Sequence, residues 1–231
     1  MGYLAIFMVP FSAYLAFSIY MTTMPGIMPP TTTDVVVFTA WLDTNVWQFV
    51  FWLSLSVIVS QILAILAQGM IILKVASKEA GKNSGLGEII SNGFSVFPLL
   101  FTTSLVFALL IAGPIIGLLL IGLFNTSLFL TVSLLILLYL IPMFYFVLRF
   151  YIYSPICVLE GRGPIDSLRR AWSLSSGNLA VIFVMVLLIT IAALLLSIIP
   201  VVGVYVTFLV VGPANSIATT LIYLALMKKD R

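Results

Sequence analysis

The chain has 231 residues, 63% hydrophobic and only 7% charged, with a mean hydropathy of +1.29. A soluble domain of this length has no use for so much apolar surface, so composition excludes that class and points to an all-α polytopic membrane protein. The formal net charge of +3 is no nucleic-acid signal, because the cations stand beside the apolar runs. A single cysteine, Cys157, permits no internal disulfide, and a chain without histidine cannot form a Ser–His pair.

Long unbroken apolar runs, rather than short alternating ones, predict membrane helices and not a barrel. Residues 3–21 read as a first span, with Pro10 tolerated inside it. They lack a basic leader and a small-residue cleavage site, so the span reads as retained. Pro25, Gly26, Pro29 and Pro30 keep the start of loop 22–46 irregular. Thr33 or Asp34 then caps a short helix through Val35, Phe38, Trp41 and Leu42. The second span covers 47–75, and Lys74, Lys78 and Lys82 follow at four-residue intervals. After the Gly81–Gly87 loop comes an amphipathic helix at about 85–97. Leu86, Ile89, Ile90 and Phe97 share one face, and Glu88, Ser91, Asn92 and Ser95 the other. The third span covers 98–123, interrupted near Gly113–Pro114. Residues 125–127 form a tight turn, and the fourth span covers 128–150.

Residues 149–178 interrupt the apolar second half. Arg149, Phe150, Tyr151 and Tyr153 mark the headgroup level, where Arg snorkels and Tyr concentrates. Pro155 opposes a continuing helix, and Gly161, Gly163 and Pro164 form a breaker, with Pro164 placed to open a new helix. Over 164–176, Ile165, Leu168 and Trp172 fall on one face as an interfacial anchor, with Asp166, Arg170 and Ser173 opposite. Asp166 precedes Arg170 in the order that favours a helical ion pair, worth about 0.3–0.5 kcal/mol when exposed. Gly177 and Asn178 end the segment. About thirteen residues are too few to span a bilayer, so this helix is expected to lie on it. Arg162, Arg169 and Arg170 have two readings, binding of anionic lipid headgroups or a role in topology alone. The fifth span covers 179–199, residues 200–203 turn, the sixth covers 204–227, and Lys228, Lys229, Asp230 and Arg231 close the sequence.

All ten cations fall in three groups, 74–82, 149–170 and 228–231, with two spans between successive groups. Six spans therefore put every cation on one side. By the positive-inside rule that side is the cytoplasm, with both termini there, as in a multi-pass protein of the cell membrane. A basic linker, glycine-rich turn, amphipathic helix and two-span hairpin occur at 78–150 and again at 162–227. This is either a duplication about an axis along the membrane normal or convergence of two hairpins on similar turns.

No span carries an Asp, Glu or His in its interior, which counts against a proton-coupled transporter. No cluster has metal-ligand spacing, and no cofactor or catalytic residue is expected. Ser54, Gln61 and Gln68 recur every seven residues in the second span, and Asn215 stands beside a small-residue stripe of Gly212, Ser216 and Thr220. These residues are a polar path or, with greater weight, a packing face joined by interhelical hydrogen bonds of about 0.6 kcal/mol each.

The run GRGPIDSLRRAWSLSSGN resembles the membrane domain attached to some glycerophosphoryl diester phosphodiesterases and its stand-alone relatives in bacteria and archaea. Pro155, Glu160, Gly161, Gly163, Leu168, Arg169, Arg170, Trp172, Leu174, Gly177 and Asn178 fit that pattern. Ser167 and Ala171 stand exchanged relative to it. The last span, with Ala218 and Tyr223, is similar too, but Leu224 and Ala225 follow the tyrosine where an acidic residue is usual. The resemblance covers about residues 80–231. It implies a six-helix membrane module and no catalytic residues, since the hydrolytic chemistry of the fused proteins lies in a separate soluble domain.

Three functions are weighed. The first is a non-enzymatic integral module that engages membrane lipids, anionic ones above all, and serves a partner protein or the envelope. The second is a small transporter or channel, an oligomer with its lumen along Gln61 and Gln68. The third and weakest is a lipid-phosphate enzyme using Arg169 and Arg170 as anion holders and Glu160 or Asp166 as base.

Overall fold

The computed structural model describes residues 35–82, 84–124, 128–198 and 210–229. The expected first span at 3–21, the turns at 125–127 and 200–203, the start of the sixth span and the basic end beyond Lys229 lie outside the described residues. The expected all-α class holds: the described residues form α1 (Val35–Glu79), α2 (Leu86–Phe124), α3 (Phe129–Phe150), α4 (Tyr153–Glu160), α5 (Pro164–Ser175), α6 (Leu179–Ser197) and α7 (Gly212–Lys229). Four stretches, Asp43–Glu79, Leu86–Gly122, Leu130–Glu160 and Leu179–Ser197, are long and apolar enough to cross a membrane.

Two pairs of expected elements are continuous. The short helix from Val35 and the second span form one helix of 45 residues. Polar Thr44 and Asn45 stand where an end was expected. Their side chains donate to the Ala40 and Trp41 carbonyls one turn back, at 3.0 and 3.2 Å, and so serve the helix instead of ending it. Likewise α2 runs for 39 residues through both Pro98 and Pro114, joining the amphipathic helix to the third span. Each ring removes one backbone bond. A helix crossing hydrocarbon tolerates that better than an open turn, which would strand several polar groups.

The chain divides into two compact units, Met1–Ala67 and Gln68–Arg231. The first is described from residue 35 onward as the amino-terminal part of α1. Trp47 is 82% exposed and Phe51 60%, a surface suited to lipid rather than water.

The second unit is built around α4. Ser154, Pro155, Ile156, Cys157 and Val158 are all buried, so this short helix has no free face along its middle. The expectation that Pro155 opposes a helix at this point is corrected here. The chain breaks at Tyr151 and Ile152, then re-forms a helix whose first turn accepts Pro155, because no intrahelical N–H is needed there. Polar contacts seat it on its neighbours. Gln68 Nε2 donates to Ser154 Oγ at 3.0 Å. Thr103 Oγ1 and Cys157 Sγ lie 3.2 Å apart, and Ser104 Oγ and Tyr153 OH 3.1 Å apart. Around α4 closes an apolar core of Leu148, Phe150, Ile152 and Ile156 with Leu168, Ala171 and Leu174 of α5, Ile182 of α6, and Ile222 and Tyr223 of α7. The end of α1 packs closely on α2. A Cβ added at Gly93 would stand 2.5 Å from Met70 Cγ, so only glycine admits this approach without displacement.

Candidate functional site: the basic face around Glu160

Glu160 ends α4. Gly161 follows at φ +62°, a left-handed conformation that glycine adopts without strain, and turns the chain back. The return is fixed at once. Ser167 N–H donates to the Gly163 carbonyl at 2.9 Å, and Ser167 Oγ to the Arg162 carbonyl at 3.0 Å. These bonds bring the ends of α4 and α5 together, with α7 alongside.

The result is a carboxylate with both oxygens engaged. Arg162 Nε donates to Glu160 Oε2 in a charge-assisted bond. Tyr223 OH, from α7, donates to Oε1 at 2.9 Å. Arg170 Nε stands 3.9 Å from the same Oε1, and its Nη2 lies 3.6 Å from Met227 Sδ. The Glu160 side chain is only 15% exposed. The expected Asp166–Arg170 pair is replaced: Asp166 makes no ion pair among the described residues, and Arg170 turns to Glu160 instead.

The three arginines therefore differ. The Arg170 side chain is 27% exposed and turned inward, that of Arg162 is 47% exposed, and Arg169 is exposed. On α5 the buried residues are Ser167, Leu168, Ala171, Leu174 and Ser175. Of the expected anchor Ile165, Leu168 and Trp172, only Leu168 is buried in the fold; Ile165 is 67% exposed and Trp172 36%. The physical reason is the small-residue row Ser167, Ala171 and Ser175, spaced by four, which lets α5 approach its neighbours closely. Its hydroxyls are satisfied locally, Ser175 Oγ donating to the Trp172 carbonyl at 3.0 Å.

Trp172 makes a further set of contacts, with Arg149 and its neighbours. The Arg149 guanidinium sits 4.7 Å from its ring centre and 5.2 Å from that of Tyr145. Arg149 Nε donates to Tyr145 OH and Nη1 to Ser176 Oγ, both at 2.8 Å. Phe150 flanks Trp172 at 5.5 Å.

The polar stripe is scattered among environments. Ser54 and Gln61, in the first unit, are exposed. Gln68, in the second, is bonded to Ser154, and Asn215 Oδ1 accepts from Tyr151 OH. Ser216 and Thr220 are buried, with hydroxyls returned to carbonyls one turn back.

Among the described residues of this unit, two clefts have volumes of about 270 Å³. One, largely apolar, is lined by residues of α6 and α7 together with Tyr151 and Val211. The other lies at the α5–α6 junction and includes Ser173, Ser176, Asn178 and Lys229. Among the described residues, no three His, Cys, Asp or Glu side chains are grouped to hold a metal ion. Comparison of the chain with protein-family models, with curated proteins and with solved structures returned no match, so the resemblance seen over residues 80–231 rests on its motif alone.

Proposed function

We propose that the chain is a non-enzymatic integral membrane module of six spans, with both termini in the cytoplasm. It engages anionic lipid through its basic face and serves a partner protein or the envelope. The observation that carries this reading is the exposed face of α5, where Ile165, Arg169 and Trp172 follow one another at helical spacing and all remain exposed. Apolar and cationic side chains on one free face suit a helix lying in the headgroup zone, where each basic residue contributes about 1 kcal/mol of attraction to an anionic surface. Glu160 favours the same reading over chemistry. Both its oxygens are taken up by Tyr223 and Arg162, which leaves it poorly placed as a general base. Gln68 serves packing, which weakens the polar-path alternative.

Two measurements test the proposal. Cysteine-accessibility labelling is expected to report the outside at positions 126 and 202, and the inside at 82, 163 and 229. Native mass spectrometry is expected to show an anionic lipid retained by the wild type and lost from Arg162→Glu/Arg169→Glu. Equal retention by both proteins would leave the arginines with topology alone.

A further inference from the structure

We propose that the cleft at the α5–α6 junction is a phosphate-binding site for the headgroup of an anionic phospholipid. This rests on the lipid-engaging reading above and locates it in a place distinct from Arg162 and Arg170. The cleft is lined by polar groups of three kinds: the hydroxyl-bearing Ser173 and Ser176, the Asn178 amide, and the Lys229 ammonium. Among the described residues that line it, none is acidic. A lysine ammonium has three donors. Asn178 Oδ1 takes one of them, and only at 3.5 Å, so the charge is held at the cleft without being neutralised.

A second cation borders the cleft, since Arg149 Nη1 is bonded to the lining Ser176 Oγ at 2.8 Å. A third, Arg169, lies one helical turn before Ser173 on the same face of α5 and is exposed. One basic side chain thus lines the polar hollow, a second is bonded to its wall and a third stands one turn away on the same helix, a positive potential that a phosphate would neutralise. The start of α6 adds to the same field. Asn178 makes no side-chain cap there, its amide donating back to the Leu174 and Ser176 carbonyls, both at 3.4 Å.

Position argues for a lipid as the source of the phosphate. The cleft lies where α3 ends at Arg149, α6 begins after Asn178 and α7 ends at Lys229. Ends of apolar helices mark the level of the headgroups, and Tyr145 and Trp172 beside Arg149 are the residues concentrated there.

The test uses the full chain in nanodiscs of phosphatidylcholine doped with phosphatidylglycerol, with bound lipid read by native mass spectrometry and folding checked by thermal unfolding. Lys229→Gln is expected to lower occupancy by phosphatidylglycerol about fivefold, the factor for one surface charge. Ser173→Phe, at an exposed position of α5, is expected to fill the cleft and abolish the bound lipid. Lys228→Gln, whose side chain does not line the cleft, is expected to retain it. Displacement by millimolar inorganic phosphate would assign the site to phosphate as such; resistance to it would assign the lipid-borne group. Wild-type occupancy in both Lys229→Gln and Ser173→Phe would overturn the cleft while leaving the lipid reading intact. A wild type with no preference for phosphatidylglycerol would overturn both.

Discussion

Tyr223→Phe removes one oxygen and leaves the ring in the core. Tyr223 is 4% exposed, and its hydroxyl is 2.9 Å from a carboxylate whose side chain is 15% exposed. A hydrogen bond to a charged partner contributes about 1.5–3 kcal/mol, and water reaches this one poorly, so a loss in that range is expected. Arg162 cannot compensate. Its half-exposed pair with Glu160 is worth about 0–1 kcal/mol and exists already in the wild type. Glu160→Gln keeps an acceptor for Tyr223 but removes the charge that Arg162 and Arg170 face. If the hydroxyl and the carboxylate act on each other, the double variant should lose less than the sum of the single losses, by about 1–2 kcal/mol. Steric-trap unfolding in bicelles measures all four proteins under one condition. Additivity within about 0.5 kcal/mol would refute the clamp between α4 and α7 and leave Tyr223 a packing residue.

Other perturbations test other joints. Gly93→Ala should cost about 1–3 kcal/mol by pressing on Met70, and Met70→Ala should restore part of that loss in thermal unfolding. Cys157 is fully buried, so a maleimide should fail to label the folded protein and should label it at the rate of unfolding; prompt labelling would contradict the central place of α4. Trp172→Ala should cost about 1–2 kcal/mol rather than the larger figure for a fully buried ring. Its losses are the Arg149 contact and partial packing, and Arg149→Lys should reproduce only the part due to the guanidinium plane.

Local punctuation made some of this fold legible in the sequence. The helix expected at 164–176 is found at Pro164–Ser175, because Gly163, Pro164 and Gly177 act on their immediate neighbours. The stretch expected to span at 179–199 holds the helix Leu179–Ser197, which is long and apolar enough to cross a membrane and begins just after Gly177. The place of α4 was not legible. Eight residues between an arginine–tyrosine cluster and a glycine pair read as a turn, and only its neighbours in space, Gln68, Thr103 and Ser104, reveal a buried centre. The site divides in the same way. Arg162, Arg169 and Arg170 were singled out by type and spacing, but which of them faces inward depends on Tyr223 and Met227, far along the chain. Of the anchor residues, Leu168 packs inside the fold while Ile165 and Trp172 stay exposed, a division set by the closer packing of Ser167, Ala171 and Ser175.

The bond between Tyr223 and Glu160 joins residues 63 positions apart, and this has a consequence for the order of assembly. At about 5–20 residues per second, a ribosome takes on the order of 3–13 seconds to make the intervening chain. Throughout that interval the acid at the end of α4 is without its phenol. Arg162, two residues on, emerges almost with it, and Arg170 follows one helix later. The newborn carboxylate is therefore accompanied by charge from the outset. The later arrival of α7 adds the Tyr223 hydroxyl to a carboxylate already accompanied by charge, so this helix completes the arrangement rather than founding it.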